Sequence, residues 1–330
     1  MLSLRTGWTD DPNDPGRLAP DDDRVHALID RIAPGETAID IGGSFSLNLH
    51  LTPSNRVLRI HRRFVSRTRL LAEQALRRNM AMAGIRTPIA LSIDGHTIIR
   101  TGTGSRRRLA ELEPFIAAET PEPTAATYLW LFHELGHVHT VLATFPTTMP
   151  RSLAATWGTP SSMRRWFEVT RGAVAGDAAA QAIVDTAQAL LPNIRHGWIT
   201  PRLLPHHHLI HGDFRPGNAV QASGGGNLVV FDTGFADVRP RVWDIAYALG
   251  FMQLALGPTS DETTRATMIA TYEEISDAPL SDAERAVIPS MSAIALLHTI
   301  AHAGFMADPA AVARSQEPFV QAAARIIATS

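Results

Sequence analysis

Three oxygen-bearing side chains near the middle of the chain could carry out chemistry together. The segment HGDFRPGN, residues 211–218, sets Asp213 and Asn218 five positions apart, and its Pro-Gly pair favours a tight loop between them. Asp232 closes the strand-like run NLVVFD shortly afterwards. Phosphoryl transfer needs a carboxylate that orients the acceptor hydroxyl and oxygen ligands for Mg²⁺ on the nucleotide phosphates. We therefore predict Asp213 as the catalytic carboxylate, with Asn218 and Asp232 as metal ligands.

Two neighbouring residues are predicted to support this loop rather than to react. Asp244, in RVWDIAYAL, stands at the start of a predicted helix, where it could accept hydrogen bonds from the backbone of residues 211–213. His211 is expected to hydrogen-bond to backbone and steady the same loop. Both roles are structural.

A second motif indicates a different enzyme class. HELGH, residues 133–137, matches HExxH, in which His133 and His137 would share one helix face and bind zinc. Glu134 would then act as base to a zinc-bound water. A catalytic zinc needs a third protein ligand, and the sequence continues as VHTVLA, in which helical geometry places His139 badly for that role. A zinc metallopeptidase is therefore an alternative function.

The elements before residue 120 predict a small sheet with one long helix. TAIDI, FSLNLHL, RVLRIH, HTIIR and RRLAELE read as strands separated by turn residues. Ser66 can cap a helix that follows the third strand, and Gly84 can end it. Beyond the Pro-rich segment 120–124, helices dominate, and the strands there are HHLIHG, NAVQ and NLVVFD. The chain is therefore predicted to be α+β.

HGDFRPGN, VVFDTG and VWDIAYAL together resemble the aminoglycoside phosphotransferase and choline kinase family, which has a protein-kinase-like fold. The resemblance implies a bilobal molecule with a small antiparallel-sheet N-lobe and a mainly helical C-lobe. It also implies ATP and Mg²⁺ as cofactors. It implies the same site residues as the spacing does: Asp213 as the catalytic carboxylate, Asn218 and Asp232 as metal ligands, and Asp244 as the anchor of the loop.

The same resemblance implies nucleotide contacts in the N-terminal part. IGGSFSLN is similar to a phosphate-covering turn, which implicates Gly42, Gly43 and Ser44. Arg59 occupies the position of the usual lysine, and Glu73 of the following helix is its implied ion-pair partner. LEPFI, residues 112–116, resembles the hinge whose backbone would hydrogen-bond adenine, which implicates Glu113 and Phe115.

Three departures from the family pattern leave other functions open. Arg59 stands where the family usually has a lysine, so a planar guanidinium replaces a compact ammonium group. GGSFS is not a complete GxGxxG. Gly234 stands where many members have a second acid, so metal binding would depend on Asn218, Asp232 and water. A non-catalytic nucleotide-binding module is therefore a further alternative, beside a kinase of Ser or Thr in a peptide.

Composition narrows the class of protein. The chain has 330 residues, 45% of them hydrophobic and 19% charged, as is typical of a globular protein. A net charge of −2 does not favour nucleic acid as a partner. There is no cysteine and no sign of a secretory signal, which fits a cytoplasmic location. The apolar stretch SAIALLHTIAHAGFMA contains two histidines and predicts a buried helix rather than a membrane span.

We therefore predict a flexible arm over residues 1–23, an N-lobe over 24–112, and a hinge with the helical C-lobe over 113–330. The predicted reaction moves the γ-phosphoryl group of ATP to a hydroxyl of a small molecule, aminoglycoside-like or another natural product. Such activity would belong to antibiotic resistance or natural-product biosynthesis. A cationic acceptor would suit a group of acids in the C-terminal third, namely Asp261, Glu262, Glu273, Glu274, Asp277, Asp282 and Glu284.

Overall fold

A computed structural model describes residues 17–43, 46–104, 107–145, 148–150, 159–199, 204–223, 227–257, 262–306 and 308–329. The helices are α1 Asp23–Ile32, α2 Arg67–Met82, α3 Ala125–Ala143, α4 Pro160–Ala173, α5 Ala178–Leu190, α6 His196–Ile199, α7 Val242–Leu256, α8 Glu262–Ile275, α9 Asp282–Ala301, α10 Pro309–Ser315 and α11 Glu317–Ala328. The strands are β1 Thr37–Asp40, β2 Leu47–Thr52, β3 Arg56–Ile60, β4 Ile99–Thr101, β5 Arg108–Pro114, β6 Ala118–Glu119, β7 His207–Ile210, β8 Ala219–Ala222, β9 Leu228–Val230 and β10 Asp237–Pro240.

The described residues form two compact units. The first unit draws on Met1–Glu119, Met149–Leu153 and Gln221–Phe231. The second draws on Thr120–Thr148, Ala154–Val220 and Asp232–Ser330. The lobe boundary predicted at residue 112 stays a prediction.

The first unit is built on a five-stranded antiparallel sheet with the order β1-β2-β3-β5-β4. The strand β2 shows why this sequence folds as a sheet, because Leu47, Leu49 and Leu51 are buried while Asn48 and His50 between them are partly exposed. These leucines belong to the hydrophobic core of the unit. The five strands predicted from the sequence are therefore confirmed.

Two helices accompany this sheet, one of them unexpected. The helix α2 begins where predicted, because the Ser66 hydroxyl accepts a hydrogen bond from the Arg69 N–H at 3.1 Å. The helix α1 was not predicted from the sequence; Asp22 caps it by accepting the Arg24 N–H at 2.9 Å. Leu18, which lies within the predicted arm, is buried in the same core. Residues 1–16 of the predicted arm lie outside the described residues.

A small second sheet completes the first unit. The strand β6, which the sequence did not predict, pairs antiparallel with the end of β8, and β9 lies on the other side of β8. The Ala222 N–H donates to the Asn227 carbonyl at 3.1 Å and closes the turn between β8 and β9. The turn glycines at 224–226 lie outside the described part of the chain.

The second unit is mainly helical around α7 and α9. Nearly every side chain of α7 from Val242 to Gly250 is buried, and α9 is buried along most of its length. Among the described residues, one helical segment, Asp282–Phe305, is long and apolar enough to span a membrane, but 78% of it is buried in the protein. The expectation of a buried helix is confirmed, although the segment is longer than the sequence suggested. A two-stranded antiparallel sheet of β7 and β10 completes this unit, and β10 was not predicted.

Candidate active site

The loop that carries Asp213 begins directly after β7 and is fixed by close backbone packing. Gly212 has a positive φ of +82°, which favours glycine. A Cβ added there would lie 2.4 Å from the backbone oxygen of Phe235, in the chain segment that leads into β10. Glycine is therefore required at this position by both conformation and space. We call residues 211–218, which carry the predicted catalytic carboxylate, the catalytic loop.

Asp244 connects the catalytic loop to α7. Its Oδ2 accepts the His211 N–H and its Oδ1 accepts the Gly212 N–H, each at 2.8 Å. The Asp244 side chain is fully buried, so these two charge-assisted bonds are shielded from water. Within the loop, the Asp213 N–H donates to His211 Nδ1 at 3.3 Å. The structure thus brings Asp244 and His211 into contact with the backbone that positions Asp213.

Asp213 is buried and held by two side chains from its own loop. Asn218 Nδ2 donates to Asp213 Oδ2 at 2.7 Å and to the Asp213 carbonyl at 2.9 Å. Arg215 Nε donates to Asp213 Oδ1 at 3.2 Å. Burial raises the pKa of Asp213, while the positive charge of Arg215 and a hydrogen bond from Tyr247 oppose that rise. The carboxylate is therefore oriented and more basic than an exposed aspartate, as suits a group that takes a hydroxyl proton.

Asn218 and Asp232 supply oxygen atoms that would suit a metal ion. Because the Asn218 amide nitrogen faces Asp213, its Oδ1 is turned away and can accept. Asp232 has a left-handed backbone with φ of 55°, an uncommon conformation outside glycine that recurs at functional sites. Its charge acts on Asp213 and raises the pKa of that carboxyl. Hard oxygen donors of this kind fit Mg²⁺ better than zinc.

Gly234 lies beside the Asp232 carboxylate. A Cβ at this position would lie 3.2 Å from Asp232 Oδ1, a close contact that a small rotation of the Asp232 side chain would relieve. Within the described ranges, three or more His, Cys, Asp or Glu side chains do not gather around one point. A metal held by Asn218 and Asp232 would therefore need water and phosphate oxygens as further ligands.

The zinc alternative at HELGH gains no support from α3. The His133 side chain is 52% exposed and contacts its neighbour Glu134 at 3.4 Å, and His137 is also exposed. Gly136 of the motif has a packing role instead, since a Cβ there would lie 2.9 Å from both the Tyr272 carbonyl oxygen and the Ile275 Cβ of α8. No third ligand accompanies the two histidines in the described part of the chain.

In the first unit, the two glycines that follow β1 adopt a backbone conformation that favours glycine. Gly42 and Gly43 have φ of +90° and +112°, and both are exposed. The Gly42 N–H donates to Asp40 Oδ1 at 2.9 Å, and Asn48 Nδ2 donates to the Gly42 carbonyl at 2.8 Å. The turn is thus held from both sides. Ser44, also predicted to contact phosphate, lies outside the described residues.

Arg59 and Glu73 each have an ion-pair partner that the sequence did not indicate. Arg59 Nε lies 3.7 Å from Glu113 Oε2 of β5, and Arg69 Nε donates to Glu73 Oε1 one helical turn away. Burial raises the pKa of Glu73, and the charge of Arg69 opposes the rise. The predicted pair between Arg59 and Glu73 stays a prediction.

A buried charge cluster surrounds the Arg59 contact. Arg77 of α2 bonds to both Glu111 and Glu113 of β5, and His61 lies 3.0 Å from Glu111. Although burial acts to raise the pKa of Glu111, the charge of Arg77 and the His61 bond hold it well below the ordinary value. The cluster thus fixes β5 against α2, and the Glu113 side chain is committed to it.

The predicted hinge contacts need a correction of one residue. The Phe115 N–H donates to the Asn55 carbonyl at 3.0 Å, and the Phe115 ring stacks on His50 at 4.0 Å. Backbone groups alternate in direction along an antiparallel strand, so Glu113, paired with Val57, also turns its N–H and C=O towards β3. The Phe115 N–H and both backbone groups of Glu113 are therefore used within the sheet.

The opposite edge of β5 has the groups that the hinge prediction sought. The Leu112 carbonyl on this edge accepts the Leu91 N–H at 2.7 Å, which confirms the direction of the alternation. The Pro114 carbonyl follows on the same edge and Ile116 comes just after the strand, and no described residue hydrogen-bonds to the Pro114 carbonyl or to the Ile116 N–H. The sequence pattern missed this because a strand's frame is uncertain by one residue.

Comparison with known proteins agrees with this geometry. Residues 37–286 match the family model of the phosphotransferase enzyme family. This match covers more than half of the chain. No curated protein matches the sequence. Solved structures share the fold at low sequence identity. A microcompartment-associated aminopropanol kinase has a TM-score of 0.70 at 16% identity, over 93% of this chain and 97% of that chain.

Two further structures show the same fold. An amicoumacin kinase in complex with AMP-PNP, Ca²⁺ and Ami has a TM-score of 0.62 at 13% identity, over 94% of each chain. A choline/ethanolamine kinase family protein from Mesorhizobium loti has a TM-score of 0.57 at 17% identity, over 93% of this chain and 97% of that one. The α+β, bilobal, protein-kinase-like fold class is therefore confirmed. The chain belongs to the phosphotransferase enzyme family.

Proposed function

We propose that this phosphotransferase moves the γ-phosphoryl group of Mg²⁺-bound ATP to a hydroxyl of a small molecule. The observation that carries the proposal is the Asp213 carboxylate, buried, fixed by Asn218 and Arg215, and electrostatically coupled to Asp232. A carboxylate held in this way can orient an acceptor hydroxyl and take its proton as the phosphoryl group arrives. Mg²⁺, held by Asn218 Oδ1 and Asp232, would neutralise charge on the phosphates.

The charged and hydrogen-bonding groups beside Asp213 would serve the same reaction. Arg215 keeps the carboxylate in one orientation, and its guanidinium lies 5.7 Å from the Phe251 ring centre. The side chain of Arg215 is 38% exposed, which leaves part of its positive charge accessible to a phosphate or an acceptor. Preorganised charge of this kind favours the transfer without reorganisation during the reaction.

The first unit offers groups for the nucleotide. In the proposal, the Pro114 carbonyl and the Ile116 N–H hydrogen-bond the adenine ring, in place of the Glu113 and Phe115 groups that bond within the sheet. Arg59 would contact phosphate, with Glu113 as its tether. The chain's lack of cysteine and its need for ATP support a cytoplasmic location as part of the same proposal.

Ion pairs in the second unit bear on the choice of acceptor, because they involve acids that the sequence suggested for binding a cationic ligand. Three of those acids are engaged with arginines of the second unit, in the pairs Glu262–Arg265, Glu273–Arg285 and Glu284–Arg241. Asp261 lies outside the described residues. This pairing weakens the case for a polycationic aminoglycoside as the acceptor. Similar structures bear the names of aminopropanol, choline and ethanolamine kinases, so we propose an amino alcohol or another small hydroxylated molecule.

A single set of assays tests this function. The protein is incubated with Mg·ATP and a panel of amino alcohols, aminoglycosides, neutral polyols and Ser- or Thr-containing peptides, and ADP release and acceptor phosphorylation are measured. Asp213→Asn keeps the size of the side chain but removes the base, so kcat should fall by about 10²- to 10⁴-fold. His137→Gln, on the exposed face of α3, is the matched control and should leave kcat unchanged.

Other results would contradict the proposal. Full turnover in Asp213→Asn would remove Asp213 from the reaction. ATP-dependent thermal stabilisation without transfer to any acceptor would instead indicate a nucleotide-binding module, with a stabilisation of about 2.7 kcal/mol when ATP exceeds its Kd about 100-fold. Zinc-dependent peptide hydrolysis lost in His137→Gln would restore the metallopeptidase alternative.

A further inference from the structure

A buried tyrosine of α7 contacts the Asp213 carboxylate. Tyr247 is only 6% exposed and forms a hydrogen bond with Asp213. Burial and the neighbouring charge of Asp213 raise the pKa of Tyr247, so its hydroxyl stays protonated and is the donor of this bond. Tyr247 was not predicted from the sequence to take part in the site.

Tyr247 lies on the face of α7 that holds the catalytic loop. It follows Asp244 by three residues, about one helical turn, so the two side chains project from the same side of the helix. Asp244 accepts the N–H groups of His211 and Gly212. Tyr247 reaches the side chain of the next residue, Asp213. The helix therefore fixes both the backbone of the loop and the carboxylate that the loop carries.

Aromatic neighbours hold the Tyr247 ring in place. The Phe251 ring, one turn further along α7, lies 4.8 Å from it between ring centres, and the Trp243 ring, one turn earlier, lies at 6.1 Å. Phe251 itself packs edge-on against Phe319 of α11 at 6.0 Å. Such distances are typical of aromatic pairs in a packed core. The hydroxyl therefore projects from a ring whose position is fixed.

Arg215 connects the tyrosine to the carboxylate. Its guanidinium hydrogen-bonds the Tyr247 hydroxyl, and its Nε donates to Asp213 Oδ1 at 3.2 Å. The guanidinium also lies 5.7 Å from the Phe251 ring centre, and a Cβ at Gly217 would lie 2.8 Å from Arg215 Nη1. The carboxylate, the guanidinium and the phenol thus form a triangle of hydrogen bonds, in which each group limits the movement of the other two.

The hydrogen bonds of Asp213 leave little room for a further donor. An ionised carboxylate has about four positions at which it can accept a hydrogen bond. In the described part of the chain, three side chains donate to Asp213, namely Asn218, Arg215 and Tyr247. About one position of the carboxylate is then left for the hydroxyl of the phosphoryl acceptor.

We propose that Tyr247 is a positioning residue of the phosphotransferase reaction, because its hydroxyl occupies one position of the Asp213 carboxylate and so restricts the acceptor hydroxyl to another. This inference rests on the proposed function, in which Asp213 takes the proton of the acceptor hydroxyl. The residue acts through Asp213 and contributes no atom to the transfer. Its effect should therefore appear in how the acceptor is placed rather than in how tightly ATP binds.

Loss of the Tyr247 hydroxyl would open a side reaction. A water molecule can take the vacated position beside Asp213 and attack the γ-phosphorus of ATP in place of the acceptor. The water oxygen then forms a bond to phosphorus, the bond from phosphorus to the ADP oxygen breaks, and a proton of the water passes to Asp213. The products are ADP and inorganic phosphate, without a phosphorylated acceptor.

Tyr247→Phe tests the inference because it removes the hydroxyl and keeps the ring between Trp243 and Phe251. The variant is incubated with Mg·ATP and an acceptor that the wild type phosphorylates, and ADP, phosphorylated acceptor and inorganic phosphate are measured. We expect kcat for transfer to fall by roughly 10- to 100-fold, with the KM for ATP within about twofold of wild type. The share of ADP that forms with inorganic phosphate should rise by at least about fivefold.

Ser292→Ala is the matched control. Ser292 of α9 is 2% exposed, and its hydroxyl donates to the Ala246 carbonyl of α7 at 2.7 Å. This variant also removes one buried hydroxyl bonded to α7, but that hydroxyl does not touch Asp213. We expect the wild-type kcat and the wild-type share of inorganic phosphate. Equal changes in Tyr247→Phe and Ser292→Ala would overturn the inference, because loosening of α7 alone would then explain them.

A measurement without turnover tests the contact itself. The chain has three tyrosines, so carbon NMR of protein labelled at the ring carbon that bears the hydroxyl gives three signals, and Tyr128→Phe and Tyr272→Phe assign them. Asp213→Asn removes the charge that the Tyr247 hydroxyl contacts, so the Tyr247 signal should shift while the Tyr272 signal stays in place. This comparison needs neither an acceptor nor a folded Tyr247→Phe variant.

The refuting results separate this inference from the proposed function. A Tyr247 signal that Asp213→Asn leaves in place would overturn the inference whatever the activity. Wild-type kcat and a wild-type share of inorganic phosphate in Tyr247→Phe would also overturn it, while transfer by the wild type would leave the proposed function intact. Failure of the wild type to phosphorylate any acceptor would instead remove the proposed function, and this inference with it.

Discussion

The glycine of the catalytic loop offers a sharp test of how closely the loop is packed. Gly212 combines a φ of +82° with a backbone neighbour, the Phe235 oxygen, only 2.4 Å from where a Cβ would stand. Its N–H is also one of the two that Asp244 accepts. Replacing Gly212 by alanine therefore strains the conformation, forces two backbone segments apart and disturbs the anchor of Asp213.

The expected cost has two parts. A left-handed conformation costs an alanine about 1–2 kcal/mol relative to glycine. The overlap with Phe235 involves backbone, which cannot swing aside as a flexible side chain can, and overpacking of this kind costs about 1–3 kcal/mol. Gly212→Ala should therefore lower the free energy of unfolding by about 2–5 kcal/mol. Displacement of the loop should also lower kcat by up to about 100-fold.

Gly257 supplies the matched control for this variant. It lies at the end of α7 in the same unit, and no described atom lies within 4 Å of its ideal Cβ. Its φ of +59° and ψ of −137° lie close to a region that is essentially restricted to glycine, so Gly257→Ala should carry only a conformational cost, of about 1–3 kcal/mol. Urea denaturation followed by tryptophan fluorescence measures both variants, since Trp166 and Trp243 are buried in this unit. A loss below about 1 kcal/mol in Gly212→Ala, or a wild-type kcat in that variant, would refute the packing described for the loop.

Three other predictions follow from the charged and titratable groups. Glu284→Ala leaves the buried Arg241 without its carboxylate partner and should lower the free energy of unfolding in urea by about 3–5 kcal/mol. Asp185→Ala removes an exposed ion pair and should lower it by less than about 1 kcal/mol. Similar losses in the two variants would contradict this prediction. Burial lowers the pKa of His302 from about 6.5 in the unfolded chain to about 3 in the folded protein. Between those pH values the unfolded chain binds a proton that the folded protein does not bind. The free energy of unfolding should therefore decrease as the pH is lowered, by up to about 1.4 kcal/mol per pH unit. His302→Asn should flatten that slope in urea titrations from pH 4 to 7.5, and an unchanged slope would assign it to other groups. Arg59→Gln should raise the KM for ATP by roughly 10- to 100-fold in steady-state kinetics, and an unchanged KM would remove Arg59 from the nucleotide site.

The periodic elements were predictable because their patterns reflect burial directly. In β2, leucine alternates with polar residues, and the structure buries those leucines on one face. Ser66 begins α2 for the local reason that its hydroxyl accepts a nearby backbone N–H. The short strands β6 and β10 carry too few residues to show an alternation, and their pairing partners are distant in sequence. They could not be read from the local pattern.

The candidate site divides in the same way. Asp213 and Asn218 meet because a five-residue loop leaves them little freedom, so their spacing was informative. For charged groups on different elements, spacing in the sequence carries no such information. Arg59 lies beside Glu113 on a neighbouring strand, and Glu73 bonds to Arg69 on its own helix, although all of these charges fit several pairings in the sequence. Only the packed structure selects among them.

The buried contacts of His139 show which sequence signal deserves weight. Leu135, Val138 and Leu142 place His139 within the buried stripe of α3, since these positions follow the helical repeat and all are buried. A histidine on such a stripe must find a polar partner, because leaving its ring nitrogens unbonded in the core is costly. The exposed His133 and His137 face no such requirement, although they match a named motif. The buried His139 meets this requirement through Asp244 and Tyr272, so a buried polar residue outside any motif indicated a contact with the anchor of the loop that the exposed motif did not.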